Sequence, residues 1–280
     1  MAEHVPTLVL VHAHPDDEAS TTGGVIAKYS RAGYRVVLVT CTNGELGDSP
    51  AGTTPDEDHH NTDEVVAHRM EELAQSCEIL GVSRLVLLGY HDSGMMGWPQ
   101  NDAEGSFWRT PVEVAGARLA AILDEEQADV VVTYDENGFY GHPDHIQANR
   151  ITLAAVAAAK VTPKLYYATV ARSAFERLRG LLEEHGVELP DDDGDADRPE
   201  MGASDEQLGA VVDVGEFVGL KRAALAAHAS QTAQSFFFQL PEALFEQMFR
   251  DEWFIRVQDP TGFVGMEDDL FRGVPASPPA

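Results

Sequence analysis

The densest group of reactive side chains lies in the segment His12–Glu18, which holds two imidazoles and three carboxylates. It directly follows Thr7–Val11, an apolar run with the composition of a buried strand. Imidazole nitrogens and carboxylate oxygens are common zinc ligands, and a carboxylate beside the metal can act as a general base. A helix N-terminus is the alternative, because proline suits a first turn and acidic side chains complement the helix dipole there. Capping gives no reason for His12 and His14, so a second cluster of the same kind would favour the metal site.

The segment His142–His145 is such a cluster, because it repeats the His-Pro-Asp tripeptide of residues 14–16. Each copy follows a predicted strand and begins a predicted helix. Loops that leave the carboxyl ends of parallel strands share one edge of a sheet, so the two copies can meet there. His14 and Asp17 lie three residues apart, as do His142 and His145, so each pair can point into the same space. Three ligands from two loops plus a water make up a catalytic zinc site, whereas a structural site takes four protein ligands, usually with cysteine.

Short apolar strands alternate with helical segments in the part of the chain that carries both motifs. The predicted strands are residues 7–11, 35–40, 84–89, 128–134 and 164–170, and the predicted helices are residues 15–32, 63–81, 111–127 and 143–159. This alternation predicts an α/β fold, a Rossmann-like three-layer sandwich with a mostly parallel central sheet. We expect residues 1–160 to form the metal-binding catalytic part and residues 161–280 to form a smaller α+β extension packed on the same domain.

The elements of the predicted extension are less regular. We expect helices at residues 173–186 and 216–229, an acidic loop at residues 191–198, a short strand at 209–214, and a helix and strand in the aromatic segment after Phe236. Between the third strand and the third helix, residues 90–110 form a loop rich in large side chains. These side chains either form the wall of a pocket or anchor the loop to the core.

Composition and charge restrict the partners of the chain. Its 280 residues include 47 acidic and 19 basic side chains, which gives a formal net charge of −28. Nucleic acids and anionic membranes attract clustered lysine and arginine, so we expect neither as a partner. Only Cys41 and Cys77 occur, which argues against a disulfide framework and a thiolate metal site. The sequence has neither a basic leader nor a long apolar run, so we expect a cytoplasmic protein.

The motifs His12–Glu18 and Gly141–His145 resemble the two signature motifs of the PIG-L/LmbE-like deacetylases, zinc hydrolases that remove acyl groups from N-acyl glucosamines. The resemblance extends to Tyr134–Gly138, Asp92–Gly94 and Ala227–Gln231 in the same order, and so it covers most of the chain. Within the family the chain is most similar to the mycothiol-pathway enzymes, the N-acetylglucosaminyl-inositol deacetylase and the mycothiol S-conjugate amidase.

This resemblance implies a metal site and a general base. His14, Asp17 and His145 would bind zinc, and ferrous iron suits the same ligands. Asp16 would take a proton from the attacking water and return it to the leaving amine.

The resemblance also implies residues that stabilise charge in the reaction. His142, when protonated, and the Tyr140 hydroxyl would stabilise the oxyanion, and Asp144 would orient His142 or hold its protonated form.

Three further residues are candidates for substrate binding. Arg69 and Asp92 match positions that bind sugar hydroxyls in the mycothiol deacetylase, and a guanidinium with a carboxylate suits a polyol. The alternative for Arg69 is a surface ion pair with a nearby glutamate. His228 lies either at the rim of the pocket or at a helix end satisfied by backbone groups.

His12 is a candidate partner of the metal ligands, because side chains two apart on an extended chain share a face.

The substrate stays open between related enzymes. The S-conjugate amidases carry a lysine shortly after the first motif, where this chain has Ala19–Thr22. In contrast, Ser235–Phe238 and the following Leu240-Pro241 resemble the amidase. A deacylase of secondary metabolism, acting on its own N-acyl amino sugar or thiol conjugate, fits both facts.

Three other classes of protein explain the motifs less well. A dinucleotide-binding protein would need a G-x-G-x-x-G sequence after the first strand, and this chain has His-Pro-Asp-Asp there. A phosphoesterase with two metals is disfavoured by the single set of three ligands and by the acidic chain. A metal-binding protein without catalysis has no need of Asp16, Tyr140 and His142.

Overall fold

The computed structural model describes residues 4–184, 201–233 and 235–275, and its strands form one seven-stranded sheet. The strands are β1 (Thr7–His12), β2 (Arg35–Thr42), β3 (Arg84–Tyr90), β4 (Val130–Tyr134), β5 (Lys164–Thr169), β6 (Ala210–Asp213) and β7 (Asp251–Gln258). Their order across the sheet is β3-β2-β1-β4-β5-β7-β6. The first five strands pair in parallel, and β7 runs antiparallel to both β5 and β6. The predicted α/β fold with a mostly parallel sheet is therefore confirmed.

Helices cover both faces of this sheet. They are α1 (Asp17–Arg31), α2 (Thr62–Leu80), α3 (Val112–Glu126), the single turn α4 (Gly138–Gly141), α5 (Pro143–Ala158), α6 (Arg172–Glu184), α7 (Val218–Ala227), the single turn α8 (Ala229–Thr232) and α9 (Glu242–Phe249). Two separate apolar cores lie between helices and sheet: Leu8 and Leu10 point into one with α1, α2 and α7, while Val9 and Val11 point into the other with α3 and α5. Strand β1 is wholly buried because both of its faces are covered.

The strand order places the two motifs beside each other. The chain leaves β1 towards β2 on one side and later returns through β4 on the other side. The loops after β1 and β4 therefore flank the point where the strand order reverses, which is where ligands bind in open α/β sheets. The first motif follows β1, and the second follows β4.

The C-terminal part contributes to the same sheet. Strands β5, β6 and β7 extend it beyond β4, and α7 packs against both α1 and α2. The division of the chain at residue 160 stays a prediction. The predicted acidic loop at residues 191–198 lies outside the described residues, as does the end of the predicted helix at 173–186.

The long loop between β3 and α3 is anchored to the core, which was one of the two predicted roles of its large side chains, and the pocket wall stays a prediction. Phe107 is fully buried and stacks on Tyr90 with a centroid distance of 5.1 Å, so it anchors the loop. Trp98 and Met96 remain exposed. The indole of Trp98 lies directly over Gly94, where a Cβ atom would come within 2.5 Å of the ring.

Candidate active site

The three residues that the resemblance assigns to the metal converge at the carboxyl edge of the sheet. His14 lies in the turn after β1, Asp17 begins α1, and His145 lies in the first turn of α5. His14 Nδ1 lies 3.3 Å from Asp17 Oδ2 and 3.3 Å from His145 Nε2, and the latter lies 3.4 Å from Asp17 Oδ1. All three side chains are buried.

The separation of the two imidazole nitrogens is that of neighbouring metal ligands, and Asp17 turns one carboxylate oxygen towards each of them. With zinc–ligand bonds of about 2.0 to 2.1 Å, tetrahedral ligands lie roughly 3.3 to 3.4 Å apart. The nitrogen and oxygen donors are of the type that zinc prefers, and no cysteine is among them. Two groups of buried donors, in each of which the atoms lie within 4.8 Å of one another, could hold a metal ion: His14 with His142 and His145, and His14 with Asp92 and Asp144.

Asp144 holds the ring of His14, which corrects the prediction that its carboxylate orients His142. Its Oδ2 lies 3.3 Å from His14 Nε2 and accepts a hydrogen bond from the backbone N–H of Ser93 at 2.9 Å. Only the backbone N–H of Asp144 reaches His142, donating to its Nδ1 at 3.2 Å. The reason is that α5 begins at Pro143, so the side chain of Asp144 leaves the first helical turn towards the β1 loop. A carboxylate on the second ring nitrogen of a ligating histidine fixes the tautomer and orientation of the ring.

Asp16 lies beside the ligands in an uncommon backbone conformation. Its φ and ψ angles are 116° and −28°, a region that residues with a side chain rarely occupy. Because of this kink, α1 begins at Asp17 instead of at the predicted Pro15. Burial raises the pKa of the Asp16 carboxyl group to about 6, against the opposing effect of the Arg69 guanidinium. A carboxylate with this pKa is suited to accept a proton near neutral pH.

Arg69 is buried in the wall behind Asp16. Its Nη2 donates to the Pro15 carbonyl at 2.6 Å and to Asp16 Oδ2 at 3.1 Å, and its Nη1 donates to the Gly44 carbonyl at 2.7 Å. The alternative of a surface ion pair with a glutamate is wrong, because the acidic partner is Asp16 and Arg69 is buried. Binding of sugar hydroxyls by Arg69 stays a prediction.

Gly44 and Gly47, in the turn after β2, leave room for the Arg69 guanidinium, which lies against their backbone. A Cβ atom on Gly44 would lie 2.6 Å from Arg69 Nη1, and one on Gly47 would lie 2.4 Å from the same atom. Gly44 also has a φ of 66°. The Gly-rich turn after β2 is therefore shaped around the guanidinium.

The surroundings of His142 favour its neutral ring over the protonated form that was predicted to stabilise the oxyanion. Burial, together with the positive charges that His14 and His145 can carry, lowers the pKa of His142 to about 2. Because its Nδ1 accepts the Asp144 N–H, the proton of the neutral ring lies on Nε2. His142 can therefore donate a hydrogen bond through Nε2 without carrying a charge.

Tyr140 lies above the histidines on a strained turn. Its ring centroid lies 5.1 Å from that of His145, and the side chain is partly exposed. The preceding Phe139 has a φ of 67°, and Asp135 Oδ1 holds the turn by accepting the N–H groups of Asn137 and Phe139 at 3.0 Å. Burial raises the pKa of the Tyr140 hydroxyl, which therefore stays protonated and can donate.

Asp92 and His228, both predicted to contact substrate, differ in position. Asp92 lies beside the site, where its Oδ1 is 3.8 Å from His14 Nε2 and accepts the Gly94 N–H at 2.8 Å. His228 is fully buried, and its Nε2 lies 2.7 Å from Glu18 Oε1. A place at the pocket rim is therefore wrong for His228, since the segment after α7 turns its imidazole inwards beneath α1.

Two buried residues were not assigned a contact with the site by sequence reasoning. The Tyr134 hydroxyl accepts the Ala13 N–H at 2.8 Å and lies 3.1 Å from His12 Nδ1, and its ring stacks on His145 at 4.1 Å. Glu18, the last carboxylate of the first motif, is fully buried and accepts the Asp16 N–H at 3.0 Å. A signal for Tyr134 existed: it is the last residue of an otherwise apolar strand that leads into the second motif.

Comparison with known proteins identifies the family. Residues 9–156 match the model of the PIG-L family, described as GlcNAc-PI de-N-acetylase. The chain belongs to this family. A 1D-myo-inositol 2-acetamido-2-deoxy-alpha-D-glucopyranoside deacetylase from Acidothermus cellulolyticus is 41% identical over 280 residues, covering 96% of each chain. The predicted family and the predicted enzyme class, a hydrolase of amide bonds, are thus confirmed.

Solved structures of lower identity support the fold. The deacetylase of the A40926 pseudoaglycone is 17% identical with a TM-score of 0.58, over 91% of this chain and 97% of that one. The 4-carboxy-2-hydroxymuconate hydratase from Pseudomonas putida KT2440 has the same identity and TM-score, over 93% and 99%. Since one is a deacetylase and the other a hydratase, the fold alone does not decide the reaction. Within the described residues, no helix is long and apolar enough to cross a membrane.

Proposed function

We propose that the protein is a zinc-dependent N-deacetylase of an N-acetylglucosaminyl-inositol or a closely related N-acetyl amino sugar. The observation that carries the proposal is the convergence of His14, Asp17 and His145, whose nearest donor atoms lie 3.3 to 3.4 Å apart, with Asp16 directly before Asp17 in the chain. The relative from Acidothermus cellulolyticus, whose name states such a substrate, supports it over almost the whole length of both chains.

His14, Asp17 and His145 would hold the ion through two imidazole nitrogens and one carboxylate. Zinc, when bound, lowers the pKa of a water molecule and polarises the amide carbonyl. Asp144 would keep the His14 ring in its ligating orientation through the contact at Nε2. The backbone N–H of His14 donates to Asp17 Oδ2 at 2.8 Å, which fixes the carboxylate in the same way.

Asp16 would act as general base and then as general acid. Its carboxylate takes a proton from the attacking water, and its raised pKa lets it return this proton to the leaving amine. The Arg69 guanidinium keeps the carboxylate in place through the contact at 3.1 Å. One carboxyl group thus serves both proton transfers.

His142 and Tyr140 would stabilise the tetrahedral oxyanion. The Nε2–H of neutral His142 and the Tyr140 hydroxyl are neighbouring donors, since the two ring centroids lie 6.0 Å apart and both rings contact that of His145. Loss of one such donor typically raises the barrier by roughly 2.7 to 4 kcal/mol.

An uncharged polyol is the substrate class that the surroundings favour. Asp92 places a carboxylate 3.8 Å from His14 Nε2, and the terminal nitrogens of Arg69 already bind protein oxygens. Carboxylates accept hydrogen bonds from sugar hydroxyls and repel phosphate groups. The thiol conjugate of an S-conjugate amidase is the second candidate, because Ser235–Phe238 resembles that enzyme.

The test is an amine-release assay on protein first treated with a chelator and then given one equivalent of zinc. We expect amine release from N-acetylglucosaminyl-inositol and slower amine release from simple N-acetylglucosaminides. No amine should be released before zinc is returned. Asp63→Asn, which changes an exposed acid at the start of α2, should behave like the parent. Metal-loaded parent protein that releases no amine from any N-acyl glucosamine or cysteine conjugate would contradict the proposal.

A further inference from the structure

The backbone of Asp16 is held in place by the side chain of Glu18. With a φ of 116°, Asp16 has a conformation that persists only when its surroundings impose it. Glu18 Oε2 accepts the Asp16 N–H at 3.0 Å, and the Asp16 carbonyl accepts the N–H groups of Ala19 and Ser20 at 3.1 Å each. The direction of the Asp16 carboxyl group follows from this kink, so whatever fixes Glu18 also fixes Asp16.

Glu18 is itself fixed from two distant parts of the chain. Its Oε1 accepts a hydrogen bond from the hydroxyl of Ser76 on α2 and contacts His228 Nε2 at 2.7 Å. All three side chains are fully buried. His228 follows α7 and lies 210 residues from Glu18 along the chain. The two contacts leave the carboxylate of Glu18 one orientation, with Oε2 directed at Asp16.

The neighbours of His228 extend this anchoring to the turn beside the site. Ser230 donates to Glu72 of α2 through both its N–H and its hydroxyl, each at 2.7 Å. Gln231 Oε1 accepts the Asp48 N–H at 3.2 Å, and its Nε2 donates to the Asp48 carbonyl at 2.9 Å. The segment from His228 to Gln231 therefore joins α2, the turn after β2 and the first motif.

We propose that Glu18 and His228 are positioning residues that orient Asp16 for proton transfer. The proposal rests on the proposed function, in which Asp16 is the base. Neither residue touches the reacting atoms: His228 is buried beneath α1, and both oxygens of Glu18 are occupied by protein donors. A buried ion pair that served stability alone would need no hydrogen bond to the backbone of the base.

The test compares His228→Leu with His228→Gln. Glutamine can place its amide nitrogen where His228 Nε2 lies and donate to Glu18, whereas leucine has a similar volume and no donor. A misplacement of about 1 Å at a reacting group can lower the rate on the order of 10²-fold. We expect His228→Leu to lower kcat by about this factor, with KM and bound zinc unchanged, and His228→Gln to restore most of kcat.

Glu267→Gln is the matched control for loss of a buried ion pair. Glu267 is buried beside β5, where it accepts hydrogen bonds from Lys164, the first residue of that strand, and from Tyr166. We expect its variant to lower the melting temperature while kcat stays that of the parent. Ser76→Ala removes only one of the donors to Glu18 and replaces His228→Leu in the test if that variant does not fold. We expect Ser76→Ala to lower kcat several-fold.

Amide hydrogen exchange separates this proposal from the proposed function. The Asp16 N–H donates a hydrogen bond to Glu18, so its exchange rate should be higher in His228→Leu than in the parent. In Glu267→Gln the exchange rate of the Asp16 N–H should equal that of the parent. Faster exchange in a protein that deacetylates nothing would leave the positioning intact and remove the proposed function. Parental kcat in His228→Leu, or an equal loss of zinc and kcat in both His228 variants, would overturn the positioning.

Discussion

The chain contains the tripeptide His-Pro-Asp twice, and the two copies do different work in one site. In the first copy the helix begins after the tripeptide, at Asp17; in the second it begins within it, at Pro143. Asp16 consequently lies in a kinked turn with its carboxylate on Arg69, whereas Asp144 lies in a helical turn with its carboxylate on His14. Identical residues acquire different roles because the helix start sets the direction of each side chain.

The histidines of the two copies differ for the same reason. His14 presents Nδ1 to Asp17 and His145, and its Nε2 to Asp144. His142 precedes the first residue of α5, where its Nδ1 accepts a backbone N–H of that helix. One imidazole is thereby suited to bind a metal ion, and the other is left with a single N–H to donate.

The largest expected effect separates the two aspartates. Asp16→Asn should lower kcat roughly 10³- to 10⁴-fold with zinc retained, because general acid–base catalysis is lost. Asp144→Asn should weaken zinc binding about 10- to 100-fold, with most of kcat recovered at saturating zinc, since it only supports His14. Measurements of kcat and of zinc affinity by titration, made on both variants, test this difference between the two aspartates. Equal effects on both quantities in the two variants would mean that the copies share one role.

A smaller effect is expected from the second histidine. His142→Ala should lower kcat on the order of 10²- to 10³-fold, because one oxyanion donor is removed. KM and zinc stoichiometry should stay those of the parent. Tyr140→Phe is the matched change at the other donor and should follow the same pattern. A variant of His142 that loses zinc in proportion to activity would instead make this residue a ligand.

The smallest expected effect is on stability and has opposite signs in the two copies. Asp16→Gly should be more stable than Asp16→Ala by about 1 to 3 kcal/mol, because glycine accepts a φ of 116° without strain. Asp144→Gly should be less stable than Asp144→Ala by about 1 kcal/mol, because Asp144 is helical. Denaturant unfolding of the four variants measures both differences. If glycine were more stable than alanine at both positions, or at neither, the difference in backbone conformation would not contribute to the free energy of unfolding.

Local patterns in the sequence determined the elements and their order. The apolar run that became β1 indicates a strand covered on both faces, and the observed strand is wholly buried. The helical spacing predicted residues 63–81 for α2, against Thr62–Leu80 in the structure, because Asn61 caps the start and Gly81 ends the helix in a left-handed conformation. The meeting of the two motifs also followed from sequence, since the rule for parallel sheets brings both loops to one edge.

Only the tertiary structure decided what each polar side chain touches. The partners of Arg69, Asp144 and His228 are Asp16, His14 and Glu18, separated from them by 53, 130 and 210 residues along the chain. A local pattern carries no information on such contacts, because side-chain direction depends on how whole elements pack. The sequence by itself therefore determined which groups reach the site, and the fold determined which of them face the reaction and which hold the others in place.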